Sequence, residues 1–342
     1  MTSFTTTRFA RVAEGLKHVF RSVWFRVVFA LVVLCVLVGL NRISVTTFSS
    51  LASQWPWLVA AFALMLPPYL IVSCRFWIVL NNQGITVPFV LAWRWTMIGS
   101  FFDLAMPSNS GGDLIKGAYV VQHAGSGMRT RAVMAVAFDR VLGLIGLFLL
   151  ASVAIMAGWN SVKQMPGSSN LLTMLPAVTI GALAVFRFLG SRRLVNNDRF
   201  RQTVVRLPAG QRIYGIVASF NLLRERPAQF FVVLLLSLIN HSFWCASLLC
   251  VTFAFGMSAD LLQAFAVFPI AIFGNTFGFA GGFGLGTAAF DLVFSTLFHV
   301  SVGAAVGLTF QALGAISRLS GLPFYISHPQ YSLPASSTIE AP

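Results

Sequence analysis

Long apolar runs separated by short polar stretches set the pattern of this chain. A helix needs about 20 apolar residues to cross the hydrocarbon core of a bilayer. Runs of that order lie at about 24–40, 55–74, 132–157, 171–189 and 228–255, and two more segments follow at about 287–300 and 302–325. Trp55 and Trp57 open the second run, while Arg75 and Trp77 close it. Aromatic and basic residues at such ends are interfacial anchors. The expected fold class is therefore all-α: a polytopic transmembrane helical bundle of about seven or eight spans.

Two stretches break the pattern. From Trp95 to Val121 the apolar run is interrupted by Pro107, Gly111 and Gly112, and it carries Asp103, Asp113 and Lys116. Non-helical backbone at membrane depth survives only where protein or a water-filled cavity satisfies its polar groups, so such a break points to a site. The second weak region holds Pro269, Asn275 and the run Gly281-Gly282-Phe283-Gly284-Leu285-Gly286. One or both are expected as re-entrant hairpins. Ile98-Gly99-Ser100 through Pro107 to Ala118-Tyr119-Val120-Val121 also parallels Ile272-Phe273-Gly274 through Ala280 to Ala289-Phe290-Asp291-Leu292-Val293. Three long runs separate the two regions, so the parallel predicts an inverted repeat with its site near the midplane.

Composition agrees with a membrane location. Charged residues are 9% of the chain and the mean hydropathy is +0.82, whereas soluble domains are about 25% charged. The formal charge of +14 comes from basic residues gathered in the loops, which fits an orientation signal and not a nucleic-acid surface. The amino-terminal arm, Arg75, Lys116, Arg129, Arg131, an Arg-rich loop at about 191–226 and Arg318 are expected in the cytoplasm. The organisation is a basic cytoplasmic arm over 1–23, one transmembrane domain over 24–327 and a disordered Ser/Pro tail over 328–342. With no cleavage site after it, the first run reads as a retained span. The expected location is the inner membrane, with the amino terminus cytoplasmic. Cys35, Cys74, Cys245 and Cys250 lie in apolar runs without metal-ligand spacing and read as core thiols.

Ser108, Asn109, Gly111 and Gly112 lead into a helical-looking segment from Asp113, which would leave backbone N–H groups open to a phosphate. Lys116 follows one turn on, where Asp113 could hold it at i, i+3. Asp139 and Arg140 sit inside an apolar run, where ionised groups are either paired or functional. Arg75 and Arg94 are the candidate partners of Asp139, and Gly143 and Gly146 on the Asp139 face permit close helix approach. Asn240, His241, Asn275, Asp291 and His299 also fall in apolar segments; for an isolated His or Asn, the commoner role there is an interhelical hydrogen bond. No catalytic constellation, metal cluster or cofactor motif is evident, and the first external loop (41–54) lacks the carboxylate expected of a polyprenyl-phosphate glycosyltransferase.

Three stretches carry a family resemblance: Pro107-Ser108-Asn109-Ser110-Gly111-Gly112-Asp113-Leu114-Ile115-Lys116, Phe138-Asp139-Arg140-Val141-Leu142-Gly143, and Gly281-Gly282-Phe283-Gly284-Leu285-Gly286. Together with Arg75-Phe76-Trp77, they resemble the hallmarks of the lysylphosphatidylglycerol synthetase transmembrane region, also called flippase-like or uncharacterised family 0104. The resemblance implies movement of a phospholipid, hopanoid or polyprenyl-linked lipid between leaflets, without the soluble aminoacyl-transferase domain that some members append. A lipid head group would then be held by Ser108, Asn109, Gly111, Gly112, Asp113, Lys116, Asp139, Arg140 and Arg75. Asn275, Gly281, Gly282, Gly284 and Asp291 would form an opposite half-site. The alternative is a membrane enzyme or an accessory subunit serving a partner enzyme of envelope-lipid synthesis. The chain departs from the family pattern at Ala280 and Thr287, where Pro and Glu are usual, and at Lys116, where Arg is common. If that Glu bears a proton or grips a head group in the family, this chain either uses Asp291 one turn later or has lost coupling.

Overall fold

The computed structural model describes residues 51, 53–105, 111–165, 168–191, 201–202, 206, 210–277 and 282–327. The expected arm, the first span, the tail, Ser108, Asn109 and Gly281 lie outside them. Among the described residues the regular elements are helical. In chain order they are α1 (Trp55–Leu64), α2 (Pro67–Asn82), α3 (Phe89–Ala105), α4 (Gly111–Ala124), α5 (Arg129–Ala157), α6 (Trp159–Lys163), α7 (Ser168–Leu189), α8 (Gly210–Arg224), α9 (Pro227–Ala254), α10 (Leu261–Asn275), α11 (Leu285–Leu297), α12 (Gly303–Arg318) and α13 (Leu322–Ile326).

Among the described residues, four helical stretches are long and apolar enough to cross a membrane: Trp55–Asn82, Arg129–Ala157, Ser168–Leu189 and Pro227–Ala254. The first joins α1 and α2 through a bend at Met65 and Leu66, just before Pro67 and Pro68, whose rings cannot continue the backbone ladder. Side chains such as Met156, Val185, Phe188 and Phe231 stand exposed along these helices. Exposed apolar surface of that extent belongs against lipid.

The 29-residue α5 organises the interior. Phe138, Leu142 and Ile145 enter one apolar cluster with α2, α3 and α4, whereas Leu150, Ala151, Ala154 and Ile155 enter another with α1, α9, α10 and α11. The helices on either side of each broken region pack together, α3 on α4 and α10 on α11, and α4 and α10 in turn pack on α5. Asp260 caps the start of α10 by accepting from the Leu262 and Gln263 N–H groups, each at 3.0 Å.

Two expectations change. Much of the Arg-rich loop is helical, because Val217, Phe220 and Leu223 recur along α8 and pack inward; Phe220 meets Phe138 at 4.6 Å and Phe186 at 5.0 Å. The last apolar segment ends at Arg318, turns through Leu319–Gly321 and resumes as α13. There Gly321 lies against the Met97 carbonyl, where any β-carbon would collide.

Candidate functional site

The two hairpins are built alike. In the first, the helices meet where Gly112, the second residue of α4, faces the Gly99 carbonyl; a β-carbon on Gly112 would overlap it. Asp103 on α3 then accepts from the Gly112 N–H at 2.8 Å. In the second hairpin, Gly286 is the second residue of α11, and a β-carbon there would stand 2.5 Å from Asn275 Oδ1. A polar side chain near the end of the first helix thus closes on a glycine that opens the second. Asp103 holds one of the helix-start amides that the sequence assigned to a phosphate.

Asp139 joins three helices. Its Oδ1 accepts from Arg75 Nε at 2.8 Å and its Oδ2 from Lys116 Nζ at 2.9 Å. All three side chains are at most 6% exposed. Arg75 also donates to Ser237 Oγ at 3.1 Å, and the Lys116 ammonium lies 4.1 Å from the centre of the Phe76 ring. Gly143 leaves room for Arg75, since a β-carbon there would sit 3.1 Å from Nη1. Towards the surface, Arg140 Nη1 pairs with Asp113 Oδ2 at 3.0 Å, and Lys116 is 3.9 Å from Asp113.

Arg75, Asp113, Lys116, Asp139, Arg140 and Gly143 line a cavity of about 230 Å³. Tyr69, Asn240, His241, Trp244 and Arg318 complete its polar and aromatic wall. Four cations (Arg75, Lys116, Arg140, Arg318) face three carboxylates (Asp103, Asp113, Asp139), a formal excess of one positive charge. His241 Nε2 is 3.0 Å from the Gly143 carbonyl oxygen, so that nitrogen carries the hydrogen. This is the expected interhelical bond. His241 Nδ1, Asn240 Oδ1 and Arg318 Nη1 are buried and have no hydrogen-bond partner among the described residues.

A second cavity of about 250 Å³ shares Val72, Asp103, Arg140, His241, Trp244 and Arg318 with the first and extends to Asn275, Phe310 and Gln311. There Gln311 Nε2 donates to Asn275 Oδ1 at 2.8 Å and to the Gly282 carbonyl at 2.9 Å, while Thr287 donates to Gln311 Oε1 at 2.8 Å. Thr287 is fully buried. The two half-sites thus face one chamber that is charged at one end and amide-lined at the other.

Every described residue of the first expected half-site except Gly111 lines the chamber; of the second, Asn275 does. Gly282 backs Asn275 at φ +115°, Gly284 precedes α11 at φ +81°, and the Asp291 backbone packs at Gly303, outside both cavity walls. Sequence reasoning missed Tyr69, Gln311 and the role of Arg318. The available signal was a polar residue inside an apolar run. Among the described residues no three His, Cys, Asp or Glu side chains gather to hold a metal ion.

The fold and site define a multi-pass helical membrane protein with a charged internal chamber between two broken hairpins. The family described as lysylphosphatidylglycerol synthase TM region matches residues 23–318, and the chain belongs to that family. That places it among membrane proteins of lipid metabolism or translocation, associated with membrane lipids. No curated protein and no solved structure matches the chain.

Proposed function

We propose that the chamber binds the anionic head group of a membrane lipid and assists its passage between leaflets. The observation that carries this reading is Arg318. Asp139 takes Arg75 and Lys116, and Asp113 takes Arg140, yet the buried Nη1 of Arg318 has no hydrogen-bond partner among the described residues. A guanidinium so placed offers the paired N–H geometry that a phosphate oxygen accepts. The excess positive charge supports an anion, and the apolar wall of Leu144, Leu147 and Trp244 suits the first carbons of a lipid chain. Sites between discontinuous helices, as here, are where transporters hold their substrates.

The role is transport and not lipid chemistry. It takes place in the inner membrane, with the amino terminus in the cytoplasm. The orientation is supported by a single basic end: Gln83 Nε2 donates to the Ser219 carbonyl at 3.1 Å and Gly215 lies against Thr130, so the end of α2, the start of α5 and α8 come together near Arg129, Arg131, Arg224 and Arg226.

The test uses the purified protein in phosphatidylcholine vesicles containing fluorescently labelled phosphatidylglycerol, with reduction by external dithionite reading leaflet exchange. Wild type is expected to exchange the label faster than protein-free vesicles, and Arg318→Gln to fall to near the protein-free rate with unchanged thermal stability. An Arg318→Gln rate equal to wild type would sink the proposal. So would a lipid product formed by the protein in detergent, where no leaflets exist.

A further inference from the structure

A different cavity, of about 280 Å³, opens between the ends of α7, α8 and α9 and shares no lining residue with the chamber. Its floor is apolar, from Leu183, Phe186, Pro227 and Phe230, and its rim holds Arg187 and Arg224. The Phe186 and Phe230 rings stack at 5.2 Å, which fixes that floor. Arg224 donates one N–H to the Gly190 carbonyl at 3.2 Å, which anchors its guanidinium while leaving other donors for a ligand. Arg187 forms no ion pair with any described residue. The neighbouring carboxylate, Glu225, accepts from the Asn221 side-chain amide at 3.1 Å and is not part of the lining. Val185, Phe188 and Phe231, next in sequence to the lining residues Phe186, Arg187 and Phe230, are exposed, which suits helices that face acyl chains.

We propose that this slot is a resident site for an anionic phospholipid of the leaflet at the basic end of the bundle. Arg187 and Arg224 hold its phosphate, and an acyl chain lies along Leu183, Phe186 and Phe230. Charge complementarity selects the occupant: two guanidinium groups over an apolar floor match a phosphate joined to a hydrocarbon chain. A zwitterionic head group brings its own ammonium to the same rim and gains less. The site anchors a lipid in place and does not depend on the translocation reading.

Native mass spectrometry of the intact protein released from nanodiscs tests this, with phosphatidylglycerol titrated into phosphatidylcholine. Wild type is expected to retain one more phosphatidylglycerol than Arg187→Gln/Arg224→Gln, with retention weakened roughly thirtyfold in the double variant. Leu183→Trp keeps the charges but fills the floor, and it should lose the same lipid, which guards against a folding defect in the arginine variant. Arg318→Gln in the chamber should leave this lipid in place. Equal retention by wild type and both slot variants would overturn the proposal. The same holds if inorganic phosphate alone displaces the lipid and gives the same thermal stabilisation, since the site would then take a free anion. A lipid that binds only in Asp198→Asn would also overturn it, because the chain's own carboxylate would be the occupant.

Discussion

Asp139 and Arg75 lie 64 residues apart in the chain and meet at 2.8 Å inside the bundle. The contact ties α5 to α2, and Lys116 adds α4 to the same carboxylate. Removing the shared carboxylate leaves buried Arg75 without a carboxylate and buried Lys116 with only the longer 3.9 Å contact to Asp113. Asp139→Asn is expected to destabilise the protein by about 3–5 kcal/mol, measured by chemical unfolding in detergent. Adding Lys116→Met should recover part of that loss, since only Arg75 would then remain unpaired. If the second substitution adds its full independent cost instead, the shared-carboxylate account is wrong.

The first hairpin makes an unequal demand on its two glycines. A β-carbon on Gly112 overlaps the Gly99 carbonyl, whereas one on Gly99 meets the Gly112 carbonyl at 3.0 Å and the flexible Lys116 side chain at 3.1 Å. Gly112→Ala should therefore cost roughly 1–3 kcal/mol or more, and Gly99→Ala clearly less. Thermal unfolding of the two variants decides the order, and equal costs would mean that the helices separate more freely than their backbone contact allows.

At the amide-lined end, Gln311 serves Asn275, Gly282 and Thr287 together. Gln311→Leu leaves several buried polar groups unmet and is expected to cost several kcal/mol, at about 1–3 kcal/mol for each group, while Thr287→Val, which leaves only Gln311 Oε1 without its donor, should cost about 1–3 kcal/mol. Stability curves of the two variants check the ranking. Thr287, where the family resemblance led one to expect Glu, thus joins a hydrogen-bonded set without a carboxylate.

Asp103 brings a negative charge to a chamber proposed to hold an anion, yet its bond to the Gly112 N–H needs only an oxygen acceptor. Asp103→Asn keeps an acceptor and raises the formal excess of the chamber by one. Binding of phosphatidylglycerol in the chamber should tighten several-fold, up to about tenfold, and the gain should shrink as salt is raised. Titration at low and high ionic strength reads both effects, and unchanged affinity would show that the head group does not sense Asp103.

Most of the frame was legible in the chain itself. Apolar length alone determines a span, so α5, α7 and α9 fall within a few residues of the runs at 132–157, 171–189 and 228–255. Proline and glycine in apolar surroundings marked both hairpins, because a broken backbone in lipid must find partners within the protein. Asp139 was recognisable as a residue in need of a partner, with Arg75 and Arg94 as candidates, because an ionised group inside an apolar run is either paired or functional; the fold selects Arg75. What the tertiary structure decided was how the charges are shared and which face one space. Periodicity did not reveal that Asp139 serves two cations, that Asp103 claims the Gly112 amide, or that Asp291 stays outside the chamber walls. Nor could sequence bring Arg318 and Tyr69 to the wall that Asp113 and His241 line. Spans and breaks are local consequences of transfer energy and backbone chemistry, whereas the chamber depends on which helices pack together, and that is set by the close approaches at Gly99, Gly112 and Gly143.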